Sequence, residues 1–234
     1  MNIGIVAIFY NGYGKFIPDL CRSISKLTVK PTAVTLAAFG SSHGLENPEK
    51  CLDLLREVKD AKIVYFDDFK NMGTARNEAI KITDTEWIMY ISADDEILPT
   101  AIEEFGKHQD ADVISIAYRV RNENGSEFVC NPRLPDKEMI FDKDFYFQST
   151  GDWLVNYSPF RKSVWEKTPY IDSDYPNAPF WIDCAIQNAR FERVEVPCVI
   201  YKKHQESHSK KMTPFNKKEA KQTIKNYKIE QRNA

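Results

Sequence analysis

Residues 3–9 form a continuous apolar run with β-branched positions, which predicts a strand buried on both faces. Phe16, Leu20, Ile24 and Leu27 then recur at helical spacing across residues 15–27. A second apolar run, 33–39, ends at Gly40-Ser41-Ser42. Asn47-Pro48 is a helix cap followed by proline at the first helical position, and it opens a helix carrying Cys51, Leu54, Leu55 and Val58. Residues 62–66 read as a third strand, 74–83 as a helix and 87–91 as a fourth strand. This alternation predicts an α/β fold with a parallel sheet and right-handed crossovers. Such sheets bind ligands beyond the carboxyl ends of their strands. Those ends read Tyr10-Asn11-Gly12, Gly40-Ser41-Ser42, Asp67-Asp68 and Ser92-Ala93-Asp94-Asp95, a polar and partly acidic rim.

The second half is less regular. Residues 113–120 predict a strand, and Asn122-Glu123-Asn124-Gly125 a turn. Aromatic residues crowd 141–160. Three prolines mark 168–180 as a loop, with a helix expected over 181–190 and a strand over 195–201. No linker or repeat interrupts the pattern. The expected organisation is one domain, whose second half completes the first, followed by a basic tail over 209–234.

Composition removes whole classes. An aromatic content of 12% argues against disorder, and 234 residues suffice for a real core. No apolar run approaches the roughly 18 residues of a membrane helix. Residues 1–10 lack the basic start and cleavage site of a signal peptide. Five cysteines without a C-x-x-C pattern fit a reduced, cytoplasmic setting. The formal charge of −2 hides an asymmetry: residues 202–234 carry ten Lys or Arg against three Glu, leaving the rest of the chain acidic. A basic tail suits a polyanion such as DNA, an anionic membrane inner face or a phosphorylated substrate; a solvated helical tail is the plainer alternative.

Ser92-Ala93-Asp94-Asp95 follows an apolar strand, so its acids sit at the carboxyl edge. Adjacent carboxylates repel unless a cation or solvent offsets them, and Mg²⁺ is commonly held by one or two carboxylates together with substrate phosphates. The competing reading has Asp95 capping the helix after Pro99. Asn71-Met72-Gly73-Thr74-Ala75-Arg76-Asn77 precedes a helix whose N-terminus favours an anion, with Arg76 placed to fork a phosphate, or else to sit on an ordinary surface loop. Cys184, Cys198, His204 and His208 lack the paired knuckles of a zinc site.

Taken together, Gly73-Thr74-Ala75-Arg76-Asn77-Glu78-Ala79 and Glu86 through Asp95 resemble the G-x-A-R-N-x-G and D-x-D-D segments of family 2 glycosyltransferases, which have the GT-A (Rossmann-like) fold. Asn11, Gly40-Ser41 and Phe160-Arg161-Lys162-Ser163 extend the likeness. Trp181-Ile182-Asp183 stands where the family carries its x-E-D base motif, and His204 where many members carry a metal-binding histidine. The chain departs from the family at three places: Ala37-Ala38-Phe39 replaces the acid at the second strand's end, Ser92 replaces the first Asp of D-x-D, and Ile182 replaces the Glu of x-E-D.

The resemblance implies a catalytic domain over residues 1–208, with a nucleotide-sugar-binding half (1–110) and an acceptor-binding half (111–208), and an inverting transfer from a nucleotide sugar, UDP-linked, assisted by Mn²⁺ or Mg²⁺. Asp94 and His204 would hold the metal. Asn11, Gly40, Ser41, Gly73, Arg76, Asn77, Ser92, Ala93 and Asp94 would bind the donor, and Asp183 would be the base. Asp95, Gly151, Asp152, Trp153 and Trp181 would line the acceptor cleft. The implied acceptor is a surface glycan or lipid-linked saccharide. The basic tail and the aromatic patch raise an alternative, a hydroxymethylated base in DNA, as in phage DNA-modifying enzymes. A non-catalytic nucleotide-sugar-binding module and a nucleotidyltransferase are the other classes the residues allow.

Overall fold

The computed structural model describes residues 1–131, 134 and 156–206. Its first half follows the expected alternation: β1 (Ile3–Phe9), α1 (Ile17–Ser25), β2 (Ala33–Phe39), α2 (Pro48–Leu54), β3 (Asp60–Phe66), α3 (Met72–Lys81) and β4 (Trp87–Ser92). β1 pairs in parallel with β2 and β4, and β2 in parallel with β3. The short β5 (Glu96–Ile97) and α4 (Ala101–Gly106) follow, then β6 (Val113–Arg121) and β7 (Glu127–Cys130). After residue 156 come β8 (Phe160–Arg161), α5 (Lys162–Lys167), α6 (Asn177–Ile186) and β9 (Phe191–Lys202).

The nine strands among the described residues form one sheet, ordered β3-β2-β1-β4-β8-β6-β9-β5 with β7 on β6. β8 contributes two residues, yet it bridges β4 and β6 and joins the two halves without a break. Alternate residues of β1 feed different cores. Ile3, Ile5, Ala7 and Phe9 pack with α1, α2 and α4. Val6 and Ile8 pack with α3, α5 and α6. The result is a three-layer α/β domain, as expected.

Two elements of the second half start four residues earlier than expected, for local reasons. α6 begins at Asn177 instead of 181, because Pro179 falls in the first turn, where the proline's missing N–H would have no helical partner anyway. β9 begins at Phe191 instead of 195. Its register against β6 shifts near Pro197, so the proline sits at a bulge, where no ladder donor is needed.

Candidate functional site

Because β3, β2, β1 and β4 run parallel in register, their carboxyl ends form one edge. Beyond β1 the chain turns through two left-handed residues, Asn11 (φ 47°) and Gly12 (φ 82°). That turn aims the Gly12 N–H at the Ser42 carbonyl (2.7 Å) and the Gly14 N–H at the His43 carbonyl (2.7 Å), lashing the loops after β1 and β2 together. Ser42 Oγ lies 3.3 Å from Asn11 Oδ1, and the Gly40 N–H donates to Phe66 (3.0 Å). Asn11, Gly40 and Ser41 therefore do share the rim. An aromatic floor lies alongside them: Tyr10 stacks on Phe69 with ring centres 3.8 Å apart, and Phe39 on Phe66 at 4.6 Å. Burial pushes the Tyr10 phenol above its ordinary range, so it stays neutral. The sequence shows aromatics at these strand ends, but only the parallel register reveals that they meet.

The two adjacent acids after β4 take different surroundings. Asp94 is 7% exposed, and its Oδ2 lies 2.8 Å from His204 Nε2. These residues are 110 positions apart in the chain. β9 brings them together, because it pairs antiparallel with β5, Glu96 opposite Ile200. The Lys202 N–H then donates to Asp95 Oδ1 (2.8 Å), and the chain continues for two residues to the imidazole. The His204 ring also rests 5.0 Å from that of Phe16.

Asp95 is fully buried and accepts a second bond from the Tyr157 hydroxyl. Desolvation, and then the charge of Asp94, push its carboxyl well above the usual range, against those two hydrogen bonds. It neither caps α4, whose N-cap is Thr100, nor presents a surface to an acceptor. Trp181 is likewise 1% exposed and lies in the α3–α6 core. The two residues expected in the acceptor cleft that the structure describes are thus interior supports here. Gly151, Asp152 and Trp153, and the tail over 209–234, lie outside the described residues.

The segment from Asn71 to Asn77 makes its contacts within the chain. Asn71 caps α3 by accepting from the Thr74 N–H (2.9 Å). The Gly73 N–H donates to Ser173 (2.9 Å), and the Met72 N–H to Asp174 Oδ1 (3.3 Å). Asp172 accepts from Asn71 Nδ2 and from Thr74 Oγ1. The acidic stretch 172–174 thus occupies the helix N-terminus that the sequence offered to a phosphate. Arg76 is neither a surface residue nor an exposed phosphate fork. It is 2% exposed, 4.0 Å from the Tyr90 ring centre and 5.2 Å from that of Tyr170, and it donates to Asn177 Oδ1. Its Nε is buried without a hydrogen-bond partner. Asp183, on α6, is 8% exposed.

Among the described residues, no group of three or more His, Cys, Asp or Glu side chains could hold a metal; Cys198 and Cys184 are buried in the two different cores, and His208 lies outside the described residues. Asp94 and His204 form a side-chain pair that could supply two ligands to an ion. Their 2.8 Å spacing fits neighbouring ligands on one ion, since octahedral bonds of about 2.1 Å put adjacent ligands about 3 Å apart. A carboxylate with an imidazole suits Mn²⁺ better than Mg²⁺, which prefers oxygen.

The sequence profile of Glycosyl transferase family 2 matches residues 5–167, more than half of the chain. The chain belongs to glycosyl transferase family 2. This glycosyltransferase is 24% identical to an uncharacterized glycosyltransferase of Methanocaldococcus jannaschii, over 82% of its own length and 68% of the relative's. Among solved structures it is similar to S. aureus TarS 1–349 in complex with UDP-GlcNAc (TM-score 0.67, 16% identity, 91% of this chain and 62% of that one). It is also similar to TarS 1–349 in complex with UDP (TM-score 0.63, 16% identity, 88% and 62%). The glycosyltransferase thus spans less than two thirds of those TarS chains, and the likeness shows a shared GT-A fold. No helix among its described residues is long and apolar enough to cross a membrane.

Proposed function

We propose that this chain transfers a sugar from a nucleoside diphosphate sugar to an acceptor hydroxyl. The observation that carries the reading is the Asp94–His204 pair, 2.8 Å apart at the carboxyl edge that also bears Asn11, Gly40 and Ser41. A donor laid along this rim would have its base toward the aromatic residues after β1–β3 and its diphosphate toward Asp94. UDP is the nucleotide favoured here, because TarS, which shares the fold, binds UDP and UDP-GlcNAc. Asp94 and His204 would hold a divalent ion, Mn²⁺ by their chemistry, which offsets charge on the leaving diphosphate.

Asp95 supports that pair from beneath. Its bonds to Tyr157 and the Lys202 N–H fix the end of β9, and hence His204. Asp183 is the proposed base: it accepts the acceptor's hydroxyl proton as that oxygen attacks the anomeric carbon, and the nucleoside diphosphate departs. With one displacement, the configuration inverts. The acceptor we favour is a surface glycan or lipid-linked saccharide. The excess of Lys and Arg over residues 202–234 supports DNA as a second reading, and binding to DNA that falls steeply with salt would favour it.

A thermal-shift screen of nucleotide sugars with and without Mn²⁺ tests the donor, since ligand binding raises apparent stability. A metal-dependent shift with UDP-sugars is expected, and no shift with any nucleotide sugar would overturn the reading. Asp183→Asn should keep the shift and lose turnover by about 10²–10⁴-fold.

A further inference from the structure

We propose that Asn77 is a positioning residue for the transfer reaction, holding the loop over 170–177 and, through it, the helix that carries Asp183. The inference rests on the function proposed above. It departs from the expectation that Asn77 contacts the donor.

The Asn77 side chain makes three hydrogen bonds to the second half of the chain. Its Oδ1 accepts from the Tyr170 N–H (3.0 Å) and from the Trp165 indole N–H (2.8 Å). Its Nδ2 donates to the Tyr170 carbonyl (2.8 Å). One amide thus satisfies both backbone groups of Tyr170 and the indole of α5, 88 to 93 positions further along the chain. No other side-chain type of this size offers a donor and an acceptor in that geometry.

The neighbouring residues continue the clamp. Tyr170, pinned at its backbone, lays its ring beside the Arg76 guanidinium, and Arg76 donates to Asn177, the first residue of α6. Gly73 and Thr74 bind the intervening stretch at Ser173 and Asp172. One face of α3 therefore grips the chain from Trp165 to Asn177. Asp183 lies six residues into α6, about 9 Å along its axis at 1.5 Å per residue. α6 packs on β1 and β4 in one core and runs on into β9, while the clamp holds its N-terminal end. Its angle to the rim is set by that packing and by this clamp, so loosening Asn77 displaces the base relative to the donor. Reaction rates are sensitive to such displacement, with up to about 10²-fold lost per ångström.

The test compares Asn77→Ala, and the milder Trp165→Phe, with the wild type. UDP binding is measured by calorimetry with Mn²⁺, UDP-GlcNAc turnover by steady-state kinetics, and backbone mobility by amide hydrogen exchange. For Asn77→Ala the expectation is a kcat lower by about tenfold or more, with the UDP Kd and donor KM changed less than about twofold. Faster exchange should be confined to residues 165–186. Trp165→Phe removes one of the three bonds and should show the same pattern more weakly. A Kd for UDP raised by about tenfold would assign Asn77 to the donor and overturn the proposal. Unchanged kcat with unchanged exchange would overturn it as well. Wild-type protein that neither binds UDP nor turns over UDP-GlcNAc would count against the functional reading. The exchange comparison would then decide the clamp alone: faster exchange over 165–186 supports it, and none refutes it.

Discussion

Gly73→Ala is the sharpest perturbation of this clamp. Glycine inside a helix ordinarily costs about 1 kcal/mol relative to alanine, so the substitution should stabilise α3 on propensity alone. Here a Cβ at position 73 would lie 1.8 Å from the Ile171 carbonyl oxygen, 3.0 Å from its carbon and 3.3 Å from the Ser173 nitrogen. These are backbone atoms and cannot rotate away, so the 171–174 stretch has to retreat by more than an ångström. That retreat breaks the bonds from Gly73 N–H to Ser173, Met72 N–H to Asp174, and Asn71 and Thr74 to Asp172. At about 1 kcal/mol net each, four bonds outweigh the propensity gain and leave a loss of about 2–3 kcal/mol. Urea unfolding followed by circular dichroism should show the midpoint falling at constant slope. Gly106→Ala is the internal control: it ends α4 with nothing within 4 Å of the new Cβ, and it should gain about 0.5–1 kcal/mol. A Gly73→Ala protein as stable as the wild type would refute the idea that this glycine is required for close approach.

Asp94→Asn should abolish the Mn²⁺-dependent part of the UDP thermal shift while leaving the fold intact by circular dichroism. A retained metal-dependent shift would move the metal elsewhere. Tyr157→Phe leaves buried Asp95 with the Lys202 N–H as its remaining bond shown here, and should cost about 1–3 kcal/mol in urea unfolding; no loss would show that the bond carries nothing. The bonds from Asn71 and Thr74 hold the Asp172 carboxyl below its ordinary value of 3.8. Its contribution is therefore present above that value and lost as pH falls through the lowered one. The stability gap between wild type and Asp172→Asn should narrow when unfolding is repeated between neutral pH and about pH 3, and a gap independent of pH would refute the assignment.

The first half of the fold was legible because its physics is local. Both-face burial of β1, β2 and β4 requires unbroken apolar runs, and the Asn47-Pro48 cap has a two-residue signature. The second half was harder to read for equally physical reasons. β8 is two residues long, too short for any periodicity, and it exists because β4 and β6 flank it. Pro197 reads as a strand breaker until the bulge against β6 shows why no donor is needed there. Within the site, the rim residues Asn11, Gly40 and Asp94 could be placed from the rule that ligands gather at strand ends. Arg76 and Asn77 could not, since a helix start looks the same whether it faces a ligand or another part of the chain.

By itself, the sequence determined the α/β class, the acidic rim and the resemblance that names the family, since hydrophobic period and short motifs are carried by adjacent residues. Only the tertiary structure decided how those residues meet. It supplied the pairing of β9 with β5 that brings His204 to Asp94 across 110 positions, as the resemblance implied. It buried Asp95 and Trp181, and it turned the segment from Gly73 to Asn77 inward to grip the loop before Asp183. Long-range strand pairing and helix packing set these contacts, and neither leaves a local trace in the chain.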